Sequence, residues 1–281
     1  MDERILEYFQ KLIYQETGIV YNDKNSFAPE SRLQKVAKSL EFESVEKLYE
    51  SCRTSIGNDV KSFILDIATN NETSFFRDAH VFQAVMDTVI APLFEAGKKH
   101  FELWSAACSS GQEVYTMAFL LDEFKQKNPS MSYHIVGSDI SKEILAKSIA
   151  GEYSQLEVQR GLPTKYLVKY FEKDPKAKPG QPGLWRIKDN LRSQISFRNL
   201  NLLKPFPVMG PFDVVFLRNV LIYHDDEHRT DILDRIHKKL HTDGKLFLGS
   251  AERVVGLDHL YEIGVVNRAV SYSALKRPKA A

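Results

Sequence analysis

Asp139 closes the apolar run Tyr133-His-Ile-Val-Gly-Ser138 and stands beyond a loop of small residues, Ser105-Ala-Ala-Cys-Ser-Ser-Gly-Gln-Glu113. An acid about 30 residues past the start of a tight small-residue loop is the arrangement that sheet folds use to take the hydroxyls of a ribose. The small side chains permit close backbone approach, and Gly111 tolerates a positive φ. Glu113 opens the segment that follows, where a carboxylate serves either a ligand or simply the helix dipole. The dinucleotide fingerprint GxGxxG is absent, so no pyrophosphate cradle is expected. A nucleoside cofactor without a phosphate fits better, and plain helix-on-sheet packing is the alternative reading of the same loop.

A second polar group follows another apolar run. Phe212-Asp-Val-Val-Phe-Leu217 leads into Arg218-Asn219-Val220, with Tyr223, His224 and Asp225 just beyond. Asn219 can both donate and accept without carrying charge. Asn219 and Asp225 read equally as caps of the next helix. His224 and Asp225 invite comparison with a hydrolase triad, but the chain has no GxSxG elbow. Cys108, in a loop of small residues, reads as a space-filler rather than a nucleophile. The eight histidines are scattered, with no HExxH or CxxC pair, and no metal is expected.

The elements that must position these residues follow from periodicity. Ile5, Leu6, Phe9, Leu12 and Ile13 recur at helical spacing, and Gly18 ends that helix. Pro29 opens a second helix with Leu33, Val36, Ala37 and Leu40 on one face. Ser44 caps a third, which buries Val45, Leu48 and Tyr49. A fourth covers about 59–68 with Val60, Phe63, Ile64 and Ile67 inward. No strand-like alternation precedes residue 101, so residues 1–68 read as an all-helical domain. Residues 69–92 form a linker and a helix over 78–90, which Pro92 ends or bends.

From residue 93 strands and helices alternate. Strands at 101–107 and 133–138, with helices at 112–127 and 141–149, define a parallel sheet with right-handed crossovers. Four prolines and the stretch KDPKAKPGQPG mark residues 151–197 as an insertion with short candidate strands near 184–188 and 194–198. It reads as an inserted subdomain with a hairpin-like tip or as a mobile loop. The α/β rhythm resumes with strand 212–217, helix 227–240, a turn at Asp243-Gly244, strand 245–249 and at least one more strand in 265–275. The last residues, KRPKAA, read as frayed.

Composition narrows the class. Apolar residues make up 43% and charged residues 27%, which describes a folded globular chain. A formal charge of +1 argues against a broad nucleic-acid-binding surface. Two cysteines exclude a disulfide scaffold and suit a reducing compartment. The acidic start MDERILEYFQKL does not read as a secretory signal, and no apolar run is long enough to span a membrane. A cytoplasmic location is expected.

Four segments together resemble the bacterial chemotaxis receptor methyltransferases, the CheR family: TNNETSFFRDAHVF at 69–82, ELWSAACSSGQEVYTMA at 102–118, VGSDISKEILAKSIAGEY at 136–153 and GPFDVVFLRNVLIYHDDE at 210–227. The likeness runs from the helical region to Glu252. It implies a class I, Rossmann-like α/β methyltransferase domain with a mixed seven-stranded sheet, a preceding helical domain and an inserted β-subdomain. It implies S-adenosylmethionine as methyl donor and glutamate side chains of chemoreceptors as acceptors, giving methyl esters. Partners would be methyl-accepting chemotaxis receptors in their arrays at the membrane, without insertion of this chain and without nucleic acid.

Residue by residue, the resemblance puts Asn71, Thr73 and Arg77 at the methionine end of the cofactor and the reaction site. Glu113 falls near the cofactor's methionine part or its surrounding loop, and Asp139 falls at the ribose. Asn201 and Leu202 would flank the adenine, with Asn199–Leu200 as the alternative register. Arg218, Asn219 and Val220 would line the pocket floor. Arg77 and Tyr223 are the candidates for catalytic roles, Arg77 steadying a carboxylate and Tyr223 orienting the acceptor or serving in packing. Phe75 and Phe76 are expected to pack the linker onto the sheet.

The loop CSSGQE departs from family members that carry two acids there. A carboxylate is already ionised at neutral pH, so methyl transfer to it needs no general base. Docking that depends on a receptor pentapeptide and docking that does not both fit the insertion, with a leaning to the latter. Lys35, Lys38, Lys47, Arg53 and Lys61 form either a basic docking face or an ordinary solvated surface. Two other classes stay open: a small-molecule or RNA methyltransferase on the same fold, and a receptor-binding module without catalysis.

Overall fold

A computed structural model describes residues 2–21, 29–54, 56–173 and 183–276. The side chains of Pro29, Asn58, Asp59, Ile67 and Ala68, the tip of KDPKAKPGQPG and residues 277–281 of the tail lie outside the described residues. Helix α1 (Glu3–Thr17) is capped by the Asp2 side chain, which accepts from the Arg4 N–H. It stops at Gly18, whose φ of 68° lets its N–H reach the Tyr14 carbonyl. Helices α2 (Pro29–Ser39), α3 (Val45–Thr54) and α4 (Asn58–Ala68) complete the all-α region. Ile5, Phe9, Ile13, Val36, Leu48 and Ile64 form its own core, separate from that of the sheet.

The linker runs over the sheet into α5 (Ala79–Val85), a π-helical turn (Met86–Ile90) and α6 (Ala91–Glu95). Pro92 neither ends nor breaks this helix. It sits at the start of the last segment, where a missing N–H matters least, and the π turn takes up the register change. Phe75 is buried against Phe119 and Tyr153, which pins the linker to the sheet's helical layer.

The main domain strings together β1 (His100–Ala106), α7 (Gln112–Lys127), β2 (Ser132–Asp139), α8 (Lys142–Ala150), β3 (Glu152–Tyr153), α9 (Gln155–Gln159), α10 (Thr164–Tyr170), β4 (Phe171–Lys173) and β5 (Trp185–Ile187). There follow α11 (Asp189–Arg192), β6 (Ile195–Asn199), β7 (Phe212–Leu217), α12 (Asp226–His237), β8 (Leu240–Leu248), β9 (Tyr261–Val266) and β10 (Ala269–Ala274). Seven strands form one mixed sheet in the order β6-β2-β1-β7-β8-β10-β9. Only the pairings of β10, with β8 and with β9, are antiparallel. All six residues of β7 are buried, as a strand covered on both faces requires.

Several details differ from the sequence reading. The helix expected over 227–240 ends at His237, and the expected turn at Asp243-Gly244 lies within β8, because the chain already pairs with β7 from Leu240. The candidate strand near 194–198 belongs to the main sheet, where β6 pairs in parallel with β2 and sets Asn199 opposite Asp139. The small antiparallel sheet within the insertion is β3-β5-β4 alone. A short strand has the same local pattern in either sheet, and only its partner decides. The tail holds two strands, since Asn267 and Arg268 take positive φ at a tight turn between β9 and β10.

Candidate active site

The carboxyl ends of β1, β2 and β7 meet the linker around one pocket. The linker is sewn to the loop after β1, where the Ser109 hydroxyl donates to the Asn71 carbonyl at 2.8 Å. The Phe76 N–H donates to Thr116 of α7 at 3.1 Å, and an Arg77 guanidinium N–H reaches back to the Glu72 carbonyl at 3.2 Å. Asn71, Thr73 and Arg77 thereby line one wall.

Asp139 also lines the pocket and is 5% exposed. One carboxylate oxygen accepts from the Ser109 N–H at 2.8 Å and the other from the Ser141 N–H at 3.0 Å. Each oxygen keeps a second lone pair for a ligand hydroxyl. Burial raises its pKa above the usual aspartate value, against the lowering pull of those N–H groups. Leu200, Asn201 and Leu202 line the pocket beside Asp139 and Ile140. Both registers of the Asn-Leu pairs therefore contribute: Leu200 and Leu202 are apolar surface. Asn199 instead donates to the Asp139 and Ile140 carbonyls, and Asn201 donates to the Glu16 carbonyl at 2.7 Å.

Beneath the pocket lies a buried charge cluster. The Arg218 side chain is 2% exposed and pairs with Glu113 at 2.9 Å and Asp78 at 2.5 Å. It also donates to the Arg77 carbonyl at 3.0 Å. The other Glu113 oxygen accepts from Ser105 at 2.8 Å. Arg218 Nε is buried without a hydrogen-bond partner among the described residues, and the guanidinium lies over the Phe82 ring at 5.6 Å. Asn219 and Val220 line the pocket, and Asn219 takes a φ of 59°. The Tyr223 hydroxyl accepts from Asn70 of the linker at 2.8 Å, which joins the linker to the loop after β7.

All eleven residues singled out from the sequence line this one pocket. Sequence reasoning missed others. Thr17 and Ile19, from the all-α region, also line it, and the Val20 N–H donates to the Tyr223 carbonyl at 2.8 Å. Asp78 was not singled out because its partner Arg218 lies 140 residues away.

The residues of the hydrolase comparison have other work. Asp225 caps α12 by accepting from the His228 N–H at 2.9 Å, and it accepts from the Tyr14 hydroxyl at 2.7 Å. The His224 ring lies between the Val220 carbonyl at 3.0 Å and the Thr17 carbonyl at 3.1 Å. Burial of the Cys108 thiol, with Asp139 and Glu113 beside it, pushes its pKa well up and disfavours the thiolate. Among the described residues no cluster of His, Cys, Asp or Glu is placed to hold a metal.

Burial pushes the His224 pKa below its usual value, and the two carbonyls pull the other way. The unfolded chain therefore takes up this proton first as pH falls. The contribution of the neutral ring to stability is complete above about pH 6.5 and is lost as pH falls towards the folded value. Urea midpoints at pH 7.5 and 5.5 should show a larger acid loss in wild type than in His224→Gln. Equal losses would remove His224 from the balance.

A parallel-stranded sheet in this order, with its antiparallel strand next to the edge and an acid at the end of β2, defines a class I methyltransferase that uses S-adenosylmethionine. The pocket lining suits that cofactor: acceptor lone pairs on Asp139 and apolar surface on Leu200 and Leu202. The chain belongs to the CheR methyltransferase family: residues 71–269 match the family described as "CheR methyltransferase, SAM binding domain". Three relatives are similar over nearly their whole length. Chemotaxis protein methyltransferase 1 of Pseudomonas aeruginosa is 37% identical, covering 95% of this chain and 97% of the relative. Chemotaxis protein methyltransferase Cher2 of Pseudomonas putida is 35% identical with the same coverage. Chemotaxis protein methyltransferase 1 of Vibrio cholerae is 32% identical over 94% of each chain.

Proposed function

We propose that this enzyme methylates glutamate side chains of chemoreceptors, forming methyl esters in chemotaxis adaptation. The observation that carries the reading is the closure of the linker onto the loop after β7. The Asn70–Tyr223 hydrogen bond sets Arg77 and Tyr223 on the walls of the same pocket as Asp139. Bound S-adenosylmethionine supplies a methyl group activated by its sulfonium. Asp139 holds the ribose, and Leu200 and Leu202 flank the base. Arg77 steadies a carboxylate, and Tyr223 orients the acceptor. The acceptor needs no deprotonation, which agrees with a pocket whose histidine, His224, is buried with its ring between two backbone carbonyls. Orientation and exclusion of water do the work.

The relatives named as chemotaxis methyltransferases support receptors as partners. No described helix is long and apolar enough to cross a membrane. Recruitment to receptor arrays, from the cytoplasm, therefore runs through docking surfaces. Of the five basic residues considered for docking on the all-α region, Lys47 and Lys61 pair with Glu50 and Glu16. Lys35, Lys38 and Arg53 are exposed and suit an acidic receptor surface.

Labelled S-adenosylmethionine incubated with receptor-containing membranes should give protein-bound label that base releases as methanol. Label recovered in nucleic acid, or none transferred despite cofactor binding, would refute the reading. Arg77→Ala should lower kcat/KM for the receptor at least about tenfold, by the loss of a charge-assisted contact. Unchanged transfer would remove Arg77 from the reaction site.

A further inference from the structure

Behind the loop that carries Arg218–Tyr223 stands Glu252, a residue with no part in the contacts above. Its two oxygens accept four backbone N–H groups. Oε2 takes those of Gly249 at 2.6 Å and Asn219 at 2.7 Å, and Oε1 those of Val220 at 2.7 Å and Ile222 at 3.3 Å. Glu252 is 7% exposed. Gly249 is required for this closeness: a Cβ there would lie 2.6 Å from Glu252 Oε2 and 2.9 Å from the Asn219 nitrogen.

Convergent N–H groups at a strand end form an anion-binding nest. Here the nest adjoins the pocket, since Asn219 and Val220 line that pocket while their N–H groups are bound to Glu252. We propose that Glu252 is a positioning residue for methyl transfer. Its carboxylate fills the nest after β7 and fixes the backbone of Asn219 and Val220 at the pocket wall. This rests on the reading of that pocket as the site of methyl transfer.

Glu252 also borders a second cleft of about 420 Å³ whose lining shares no residue with the cofactor pocket. Leu221, Ile222, Arg229 and Arg253 stand around it. A small carboxylate can enter the space of a truncated Glu252 by this route. The test therefore uses Glu252→Ala and Glu252→Gln in the full chain, with sodium formate as the probe.

Glu252→Ala should lose about 30-fold in kcat, as a misplaced pocket wall does, with a smaller loss of S-adenosylmethionine affinity. Formate should restore at least about a fifth of the lost rate in Glu252→Ala, and none in wild type or in Glu252→Gln, whose amide fills the space and opposes the N–H donors. Formate should also raise the melting temperature of Glu252→Ala and not that of wild type, whatever the acceptor. A folded Glu252→Ala with near wild-type kcat, or with no response to formate in rate and melting, would overturn the proposal. If Glu252→Ala does not fold, Gly249→Ala shifts the same loop with the carboxylate retained, and an unchanged kcat there is equally decisive. Wild type that transfers nothing to receptors, while formate still stabilises Glu252→Ala, would sink the acceptor reading and leave the filled nest standing.

Discussion

Asp139→Asn is expected to weaken S-adenosylmethionine binding about 100-fold, measured by calorimetry on the purified protein. Two ribose hydroxyls donating to one carboxylate make charge-assisted bonds of roughly 1.5–3 kcal/mol each, and a net loss of about 2.7 kcal/mol corresponds to that factor. The amide offers one acceptor where the carboxylate offers two, and the Ser109 and Ser141 N–H groups already compete for it. The same residue sets a pH dependence. Burial holds its folded pKa above the ordinary aspartate value. Cofactor affinity is therefore complete above that raised value and falls as pH drops through it, because protonation replaces an acceptor by a donor. Asp139→Asn should show no such fall. Unchanged affinity in the variant would move the ribose away from β2.

Arg218→Ala is expected to destabilise the protein by about 3 kcal/mol, at the lower end of the range for breaking a buried ion pair. Its removal strands Glu113, whose side chain is 15% exposed, beneath the pocket. Asp78 is 35% exposed, and water recovers part of its loss, which is why the lower end applies. Arg218→Lys should recover less than half, since one ammonium cannot reach Glu113, Asp78 and the Arg77 carbonyl in the geometry of a guanidinium fork. In a double-mutant cycle, Arg218→Met with Glu113→Gln should be more stable than the sum of the single changes by at least about 1 kcal/mol. Additive effects would show that the pair is screened by solvent.

The fold was legible where local rules suffice. Gly18 and Ser141 end and begin helices because φ and a side-chain oxygen act within one turn. The buried run of β7 and the alternation of strand and helix specify a parallel sheet without knowledge of partners. The linker residues at the pocket came through resemblance, as TNNETSFFR has no periodicity of its own. The assignment of residues 195–199 to the main sheet was not legible, because five residues of strand do not encode their neighbour.

By itself, then, the sequence determined the alternation of strand and helix, the acid at the end of β2 and the polar group after β7. Each of these is a matter of residue type and short-range spacing. Only the tertiary structure decided which charges meet. Arg218 finds Glu113 and Asp78 across 105 and 140 residues, and His224 bridges to Thr17 across 207. Glu252 takes the N–H groups of Asn219, Val220 and Ile222 from 33, 32 and 30 residues away. Such partners are chosen by distance in space after the sheet has assembled, and electrostatic energy depends on that distance and on burial, neither of which is carried by the residue letters.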